Sequence, residues 1–255
     1  MQLDQVKAVV TGGASGLGFA VAKHLRENGG KVSLIDVDEE RGAAAAAKLG
    51  ADVSFQRADV GSEQEIVAAL ARAEEAMGGL NLAVNCAGIL GAGRVLGKEG
   101  PMPLATFSKT VTVNLVGSFN VAKAAAALMQ HNEPGADGER GVIVNTASVA
   151  AYEGQIGQAA YAASKGGIVG MTLPMAREFG RIGVRVMTIA PGVFHTPMVD
   201  GMPEPVYRSL CAQVPYPSRL GDPSEFADTV AWIVQNRYLN GSVIRIDGAI
   251  RLAPK

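Results

Sequence analysis

Tyr161 and Lys165 stand four residues apart in the stretch AAYAASKGG (159–167). That spacing puts both side chains on one face of a helix. The residues around them are small, so the two polar tips are expected to reach the same place. A phenol titrates near ~10, and ionising it at pH 7 costs about 4 kcal/mol. A nearby ammonium favours the phenolate. The pair is thus a candidate for trading a proton with a bound oxygen, as base in one direction and acid in the other. Tyr152, Tyr207, Tyr216 and Tyr238 have no lysine four residues on. A tyrosine and a lysine on a helix are also ordinary surface residues, so the rest of the chain must say what they would act on.

A second constellation lies near the start. In VVTGGASGLG (9–18), Gly12, Gly16 and Gly18 are spaced G-x-x-x-G-x-G between a strand pattern and a helix pattern. Glycines there allow a tight turn and let backbone N–H groups approach a pyrophosphate at a helix N-terminus. Ser15 and Leu17 lie in the turn and would flank phosphates and ribose. Asp36 closes the next strand pattern, eighteen residues after Gly18. A carboxylate at that distance accepts from ribose hydroxyls and repels a 2′-phosphate. No basic residue directly follows Asp36 or precedes Gly16. The expected cofactor is therefore NAD rather than NADP. Asp59 and Val60 follow the third strand pattern, and Asn85, Cys86 and Gly88 follow the fourth. Ligands of such sheets bind beyond the carboxyl ends of the strands. Asp59 is placed to meet the adenine amino group, and Asn85, Cys86 and Gly88 to pass the adenine ribose.

The elements that must hold these residues alternate along the chain. Short apolar runs predict strands at Val6–Val10, Lys31–Asp36, Val53–Arg57, Leu82–Asn85, Val142–Thr146, Val184–Ile189 and Ser242–Ile246. Helical patterns fill 17–28, 39–49, 63–77, 104–131, 159–179 and 224–235. Strands apolar throughout, alternating with helices, imply an α/β fold with a parallel sheet covered on both faces. The 255 residues are 48% apolar and show no linker or repeat, so a single domain over 1–255 is expected. A net charge of −1 without a basic stripe argues against nucleic acid as partner. No uncharged apolar run of about 20 residues and no leader pattern is visible, so neither a membrane partner nor export is expected. The two cysteines, Cys86 and Cys211, are far apart and form no metal or disulfide motif. The expectation is a cytoplasmic protein that needs no metal.

Together the motifs TGGASGLG, NCAG, Asn114 in VNLVGS, Ser148 in NTAS, the Tyr161/Lys165 pair and PGVFHT (191–196) resemble the short-chain dehydrogenase/reductase family. They occur in the family's order and cover nearly the whole chain. The resemblance implies a doubly wound, Rossmann-type seven-stranded sheet, a nicotinamide cofactor and a homotetramer. It makes Ser148, Tyr161, Lys165 and Asn114 the catalytic set. Hydride transfer between an alcohol and NAD also moves a proton at the substrate oxygen. Tyr161 would exchange it, with Lys165 and the positive nicotinamide ring favouring the phenolate. Lys165 would also bind the ribose. Ser148 would donate to the substrate oxygen. The Asn114 amide, a poor helix former in a helix pattern, would hold a water that relays protons. Pro191 would turn the chain, and Phe194 and Thr196 would grip the nicotinamide carboxamide. His195 is a loop residue with no role that Tyr161 does not already fill.

Val193–Arg219 is long and rich in proline and methionine. With little regular pattern, it reads as a lid of about 193–219, with Met198, Met202, Val206 and Leu210 as an apolar wall. Gln155 and Gln158 precede Tyr161 and are placed to meet a substrate carbonyl beside Ser148. Arg94 and Lys98 lie in a segment longer than the family's minimum; coenzyme A phosphates or plain surface charge would account for them. The stretches around Ser148, after 184, at 215–227 and at the C-terminus are similar to members of that family that act on secondary alcohols, and this resemblance implies such an alcohol as small-molecule substrate. An acyl-CoA comes first, a steroid-like alcohol second. A scaffold that binds NAD without turnover is the remote alternative.

Overall fold

Runs of β-branched residues too short for helices form a seven-stranded sheet in the computed structural model, which describes residues 1–197 and 202–254. In chain order the elements are β1 Lys7–Thr11, α1 Gly16–Glu27, β2 Lys31–Asp36, α2 Glu39–Leu49, β3 Ser54–Arg57, α3 Glu63–Met77 and β4 Leu82–Asn85. A two-stranded hairpin follows, β5 Leu96–Gly97 and β6 Gly100–Pro101. Then come α4 Leu104–Val111, a π-helical turn Thr112–Val116, α5 Gly117–Met129, β7 Gly141–Thr146, α6 Ala150–Glu153 and α7 Ala159–Phe179. The chain closes with β8 Val184–Pro191, α8 Glu204–Ala212, α9 Pro223–Gln235 and β9 Val243–Ile246.

The strand order is β3-β2-β1-β4-β7-β8-β9, with every pairing parallel. Alternate residues of each strand feed two cores. Val10, Leu34, Val84, Val144 and Met187 pack under α1, α2 and α9. Val9, Ala83, Ile143 and Val186 pack under α3, α5 and α7. Strands buried on both faces explain why their sequence is apolar without alternation. The order reverses between β1 and β4, which opens a crevice at the carboxyl ends of those strands. The helices start on side-chain caps. Asp38 accepts from Arg41 N at 2.9 Å for α2, and Asp222 closes a capping box with Glu225 for α9.

Three predicted elements differ. The helix expected over 104–131 is interrupted at Thr112–Val116, where the backbone widens by one residue per turn. The supposedly irregular 193–219 contains α8, two apolar positions of which, Val206 and Leu210, belong to the expected wall. The segment after β4 carries the β5–β6 hairpin, which its glycine and charge content did not announce.

Candidate active site

The glycine turn joins β1 to α1 as the spacing predicts. Gly12 has φ 64°, and a β-carbon there would fall 2.8 Å from Ala87 N. A β-carbon on Gly18 would strike the Gly12 carbonyl oxygen. Ser15 is the N-cap of α1, and its carbonyl accepts from Phe19 N. The half-buried Leu17 packs against the core under α1. The turn thus presents backbone N–H groups at a helix N-terminus, where only hydrogen fits at the closest positions. This cradle suits a pyrophosphate. Asp36 stands at its edge, accepting from Ala14 N at 3.2 Å and Asp38 N at 3.2 Å. Those bonds aim the carboxylate across the turn. Asp59 is exposed and accepts from Gly61 N at 2.8 Å, beside the end of β3. On the far side Thr196 closes on the turn, its Cβ 3.6 Å from where a Gly16 β-carbon would lie.

The catalytic candidates meet at the end of β7. Lys165 is buried, and its ammonium donates to Thr146 O at 2.7 Å. It lies 5.6 Å from the centre of the Tyr161 ring. Burial lowers the Lys165 ammonium to about 8, and the nearby Cys86 thiol works the other way. The Ser148 hydroxyl lies near enough to the Tyr161 phenol to favour its charged form, and its oxygen accepts from Ala150 N at 3.1 Å. Gly88 brings the β4 loop up to this pair, since a β-carbon there would lie 3.6 Å from Lys165 Nζ. Burial raises the Tyr161 phenol above its ordinary value, and Ser148 only pulls it back in part. Sequence spacing showed the partner but not how much water the fold removes from the phenol.

Several other assignments change. The Asn85 side chain turns into the sheet, donating to Asn145 Oδ1 at 2.9 Å and Ser118 O at 3.2 Å, so it does not reach a ribose. It belongs to a polar row, Thr11–Asn85–Asn145–Thr188, in register across β1, β4, β7 and β8. Cys86 is half-buried; its sulfur accepts from Thr146 Oγ1 at 3.7 Å, and loss of water pushes the thiol up to about 11. Val60 is buried, its carbonyl taken by Asn120 Nδ2 at 3.1 Å, which leaves only its N–H for a ligand. Phe194 packs its ring edge-on to Phe226 at 6.3 Å, so only its backbone faces the site, just beyond the buried Pro191. Asn114 uses both amide hydrogens, on Ile89 O and Ser164 Oγ at 2.9 Å each, while its oxygen accepts from Ile89 N at 2.8 Å. With its donors spent, the side chain clamps the β4 loop to the Tyr161 helix instead of holding a relay water.

A groove of about 590 Å³ runs beside the first turn of α7, along Ala159 and Ala162. Arg94, Val95 and Leu96 of the hairpin form one wall, and Gly154 to Ala159 with Ala162 form the other. Gly93 N donates to Gly157 O at 2.8 Å and ties the walls together. Gln155 lines the groove, but its amide donates to Ala253 O at 2.9 Å, so it serves the C-terminal segment first. Gln158 accepts from Gln155 N at 3.0 Å through its oxygen, leaving the amide nitrogen for a ligand. Sequence reasoning missed Val95 and Leu96, which are 59% and 76% exposed, and the C-terminal contacts. An apolar pair in a glycine-rich stretch was the available signal. Tyr152 is a packing residue under the Arg245 guanidinium, 5.2 Å from its ring. Met202 and Val206 are exposed and Leu210 half-buried; Met198 lies outside the described residues.

A parallel doubly wound sheet, a glycine cradle at its switch point and a Ser–Tyr–Lys set on the adjoining strand and helix define a nicotinamide-dependent oxidoreductase. A family model described as short chain dehydrogenase matches residues 6–205, and the chain belongs to the short-chain dehydrogenase/reductase family. Among curated proteins, the human 3-hydroxyacyl-CoA dehydrogenase type-2 is 54% identical, over 97% of this chain and 95% of its own. The Drosophila melanogaster protein of that name is 51% identical, over 97% and 98%. The crystal structure of 3-hydroxyacyl-CoA dehydrogenase type-2 from Mycobacterium avium superposes with a TM-score of 0.93 at 43% identity, covering 97% of this chain and 96% of that one.

Proposed function

We propose that this chain oxidises 3-hydroxyacyl-CoA to 3-oxoacyl-CoA with NAD, reversibly. The convergence of Ser148, Tyr161 and Lys165 beside the glycine cradle carries this reading. The names of its relatives support the substrate. Asp36 supports NAD, since a carboxylate across the turn binds ribose hydroxyls and repels a 2′-phosphate.

The bound dinucleotide supplies the hydride acceptor and, when oxidised, a positive ring that favours the Tyr161 phenolate. Tyr161 takes the proton from the substrate hydroxyl as the carbon–hydrogen bond is broken, and the oxygen becomes a carbonyl. In the reverse direction the same phenol returns the proton. Ser148 donates to the substrate oxygen and steadies its charge. Lys165, anchored on Thr146 O, holds its ammonium behind the phenol ring. Asn114 keeps Gly88 and Ile89 against this pair. The amide of Gln158 lies in the groove, where a thioester carbonyl needs a donor.

Acetoacetyl-CoA, a panel of 3-ketosteroids and 17-ketosteroids, and both reduced nicotinamide dinucleotides test the reading. Reduction of acetoacetyl-CoA with NADH is expected. Activity on steroids alone would move the assignment to the second reading, which the apolar hairpin wall favours. We further infer a homotetramer. Leu104, Phe107, Val116 and Phe119, between 37% and 76% exposed from α4 through the π-helical turn to α5, form an outward apolar stripe of the kind that pairs between copies. The free thiols of Cys86 and Cys211 suit a reducing cytoplasm.

A further inference from the structure

The segment after β9 is built into the site more firmly than its position near the end of the chain suggests. Arg245 donates to both oxygens of Glu153, at 2.8 and 3.1 Å, and to Asp247 at 2.8 Å. Arg251 donates to Asp247 at 3.1 Å and lies 3.4 Å from Glu153. Three of these charges are partly shielded, with Asp247 10%, Glu153 22% and Arg245 24% exposed, while Arg251 reaches them from an exposed position. A two-pronged Arg–carboxylate contact in such a place is held in one geometry, unlike a free surface pair. Between them Ile250 is fully buried.

The segment then touches parts of the site that are far apart in sequence. Ala253 O accepts from Gln155 and Pro254 O from Ile156 N at 3.0 Å, so it grips the groove wall just before Tyr161. Gly248 O accepts from Tyr216 N at 3.3 Å, which ties in the chain that follows α8. Ile246 O accepts from Gly192 N at 3.0 Å, at the start of the Pro191–Thr196 loop. Tyr161 and Lys165 themselves are held elsewhere, by α7 and by Thr146 O.

We propose that Glu153, Arg245 and Arg251 are positioning residues that press the segment Asp247–Pro254 against 153–158. In this way they fix one wall of the substrate groove and set the affinity for the acyl portion without entering the proton or hydride transfer. The proposal rests on reading that groove as the substrate site. The charges act through the loop: removing one lets the 153–158 backbone relax away from Ala253 and Pro254, and Gln158 loses the orientation that Gln155 N gives it.

The test uses the full chain with Glu153→Gln, Arg251→Ala and Arg251→Lys. Steady-state KM and kcat for acetoacetyl-CoA, the NADH dissociation constant, and amide hydrogen exchange over 153–158 and over β1 are read together. Glu153→Gln and Arg251→Ala are expected to raise KM at least about fivefold while kcat and NADH affinity stay within about twofold. Exchange should quicken over 153–158 and not over β1, and Arg251→Lys should recover part of the KM. An unchanged KM, a kcat that falls by the same factor as KM rises, or unchanged exchange over 153–158 overturns the proposal. A wild type that ignores acetoacetyl-CoA but reduces another ketone overturns the proposed substrate instead, and the variants are then read on that ketone by the same criteria.

Discussion

At the scale of single residues, the chemistry rests on a phenol that burial and the Ser148 hydroxyl pull in opposite directions. Burial lifts Tyr161 and drops Lys165 to about 8, so each charged form is resisted by the fold that brings the two together. Tyr161→Phe keeps the ring and removes the proton carrier. Its turnover should fall at least about a thousandfold, with NADH binding, followed by fluorescence, within about twofold of wild type. Lys165 supplies a test by stability. Its folded value of about 8 lies below the ~10.4 of an unfolded chain. Between those pH values the unfolded state binds more protons, so stability should rise with pH across that window. Urea unfolding of wild type against Lys165→Met should show the wild type gaining from pH 8 to 10; parallel curves would contradict the buried ammonium. The residue types at 12, 18, 36, 148, 161 and 165 could be read from the chain because chemistry constrains them. Where Asn85 and Cys86 point could not, because that depends on which face of β4 the pleat gives each position.

At the scale of elements, the widened turn between α4 and α5 is the feature with most effect on the site. It lets a buried asparagine reach sideways to Ile89 and Ser164 within a continuous helical rod. Replacing Asn114 with leucine strands an N–H and a carbonyl of Ile89 and should cost about 3 kcal/mol of unfolding free energy, measured in denaturant. Turnover should fall with it, since the β4 loop then loses its tie to the Tyr161 helix. Helices with clear caps and periodic apolar faces, such as α2 and α3, have the limits that the sequence predicts. The widened turn leaves no trace in periodicity, because the apolar pattern continues on both sides of it. Helix α8 is amphipathic but buries no residue fully, and the prolines and methionine in and around it, Met202, Pro203, Pro205, Pro215 and Pro217, masked it as loop.

At the scale of the whole molecule, strand count and direction were legible because βαβ connections allow few arrangements once seven apolar runs alternate with helices. The tetramer is an expectation from likeness to a family, since an exposed stripe on α4 and α5 is not distinguishable in sequence from a buried helix face. Sedimentation should give a mass near four chains, and Phe119→Glu, on that stripe, should lower it. The clasp from Gly93 to Gly157 has a different consequence. The hairpin is an excursion between β4 and α4 that adds no strand to the main sheet. Its residues are expected to be exchangeable for those of another oxidoreductase provided that Gly91, which has no room for a side chain beside Thr110, and Gly93, which holds Gly157, are kept. A chimera carrying a foreign 90–103 would inherit a new diet while keeping its old coenzyme.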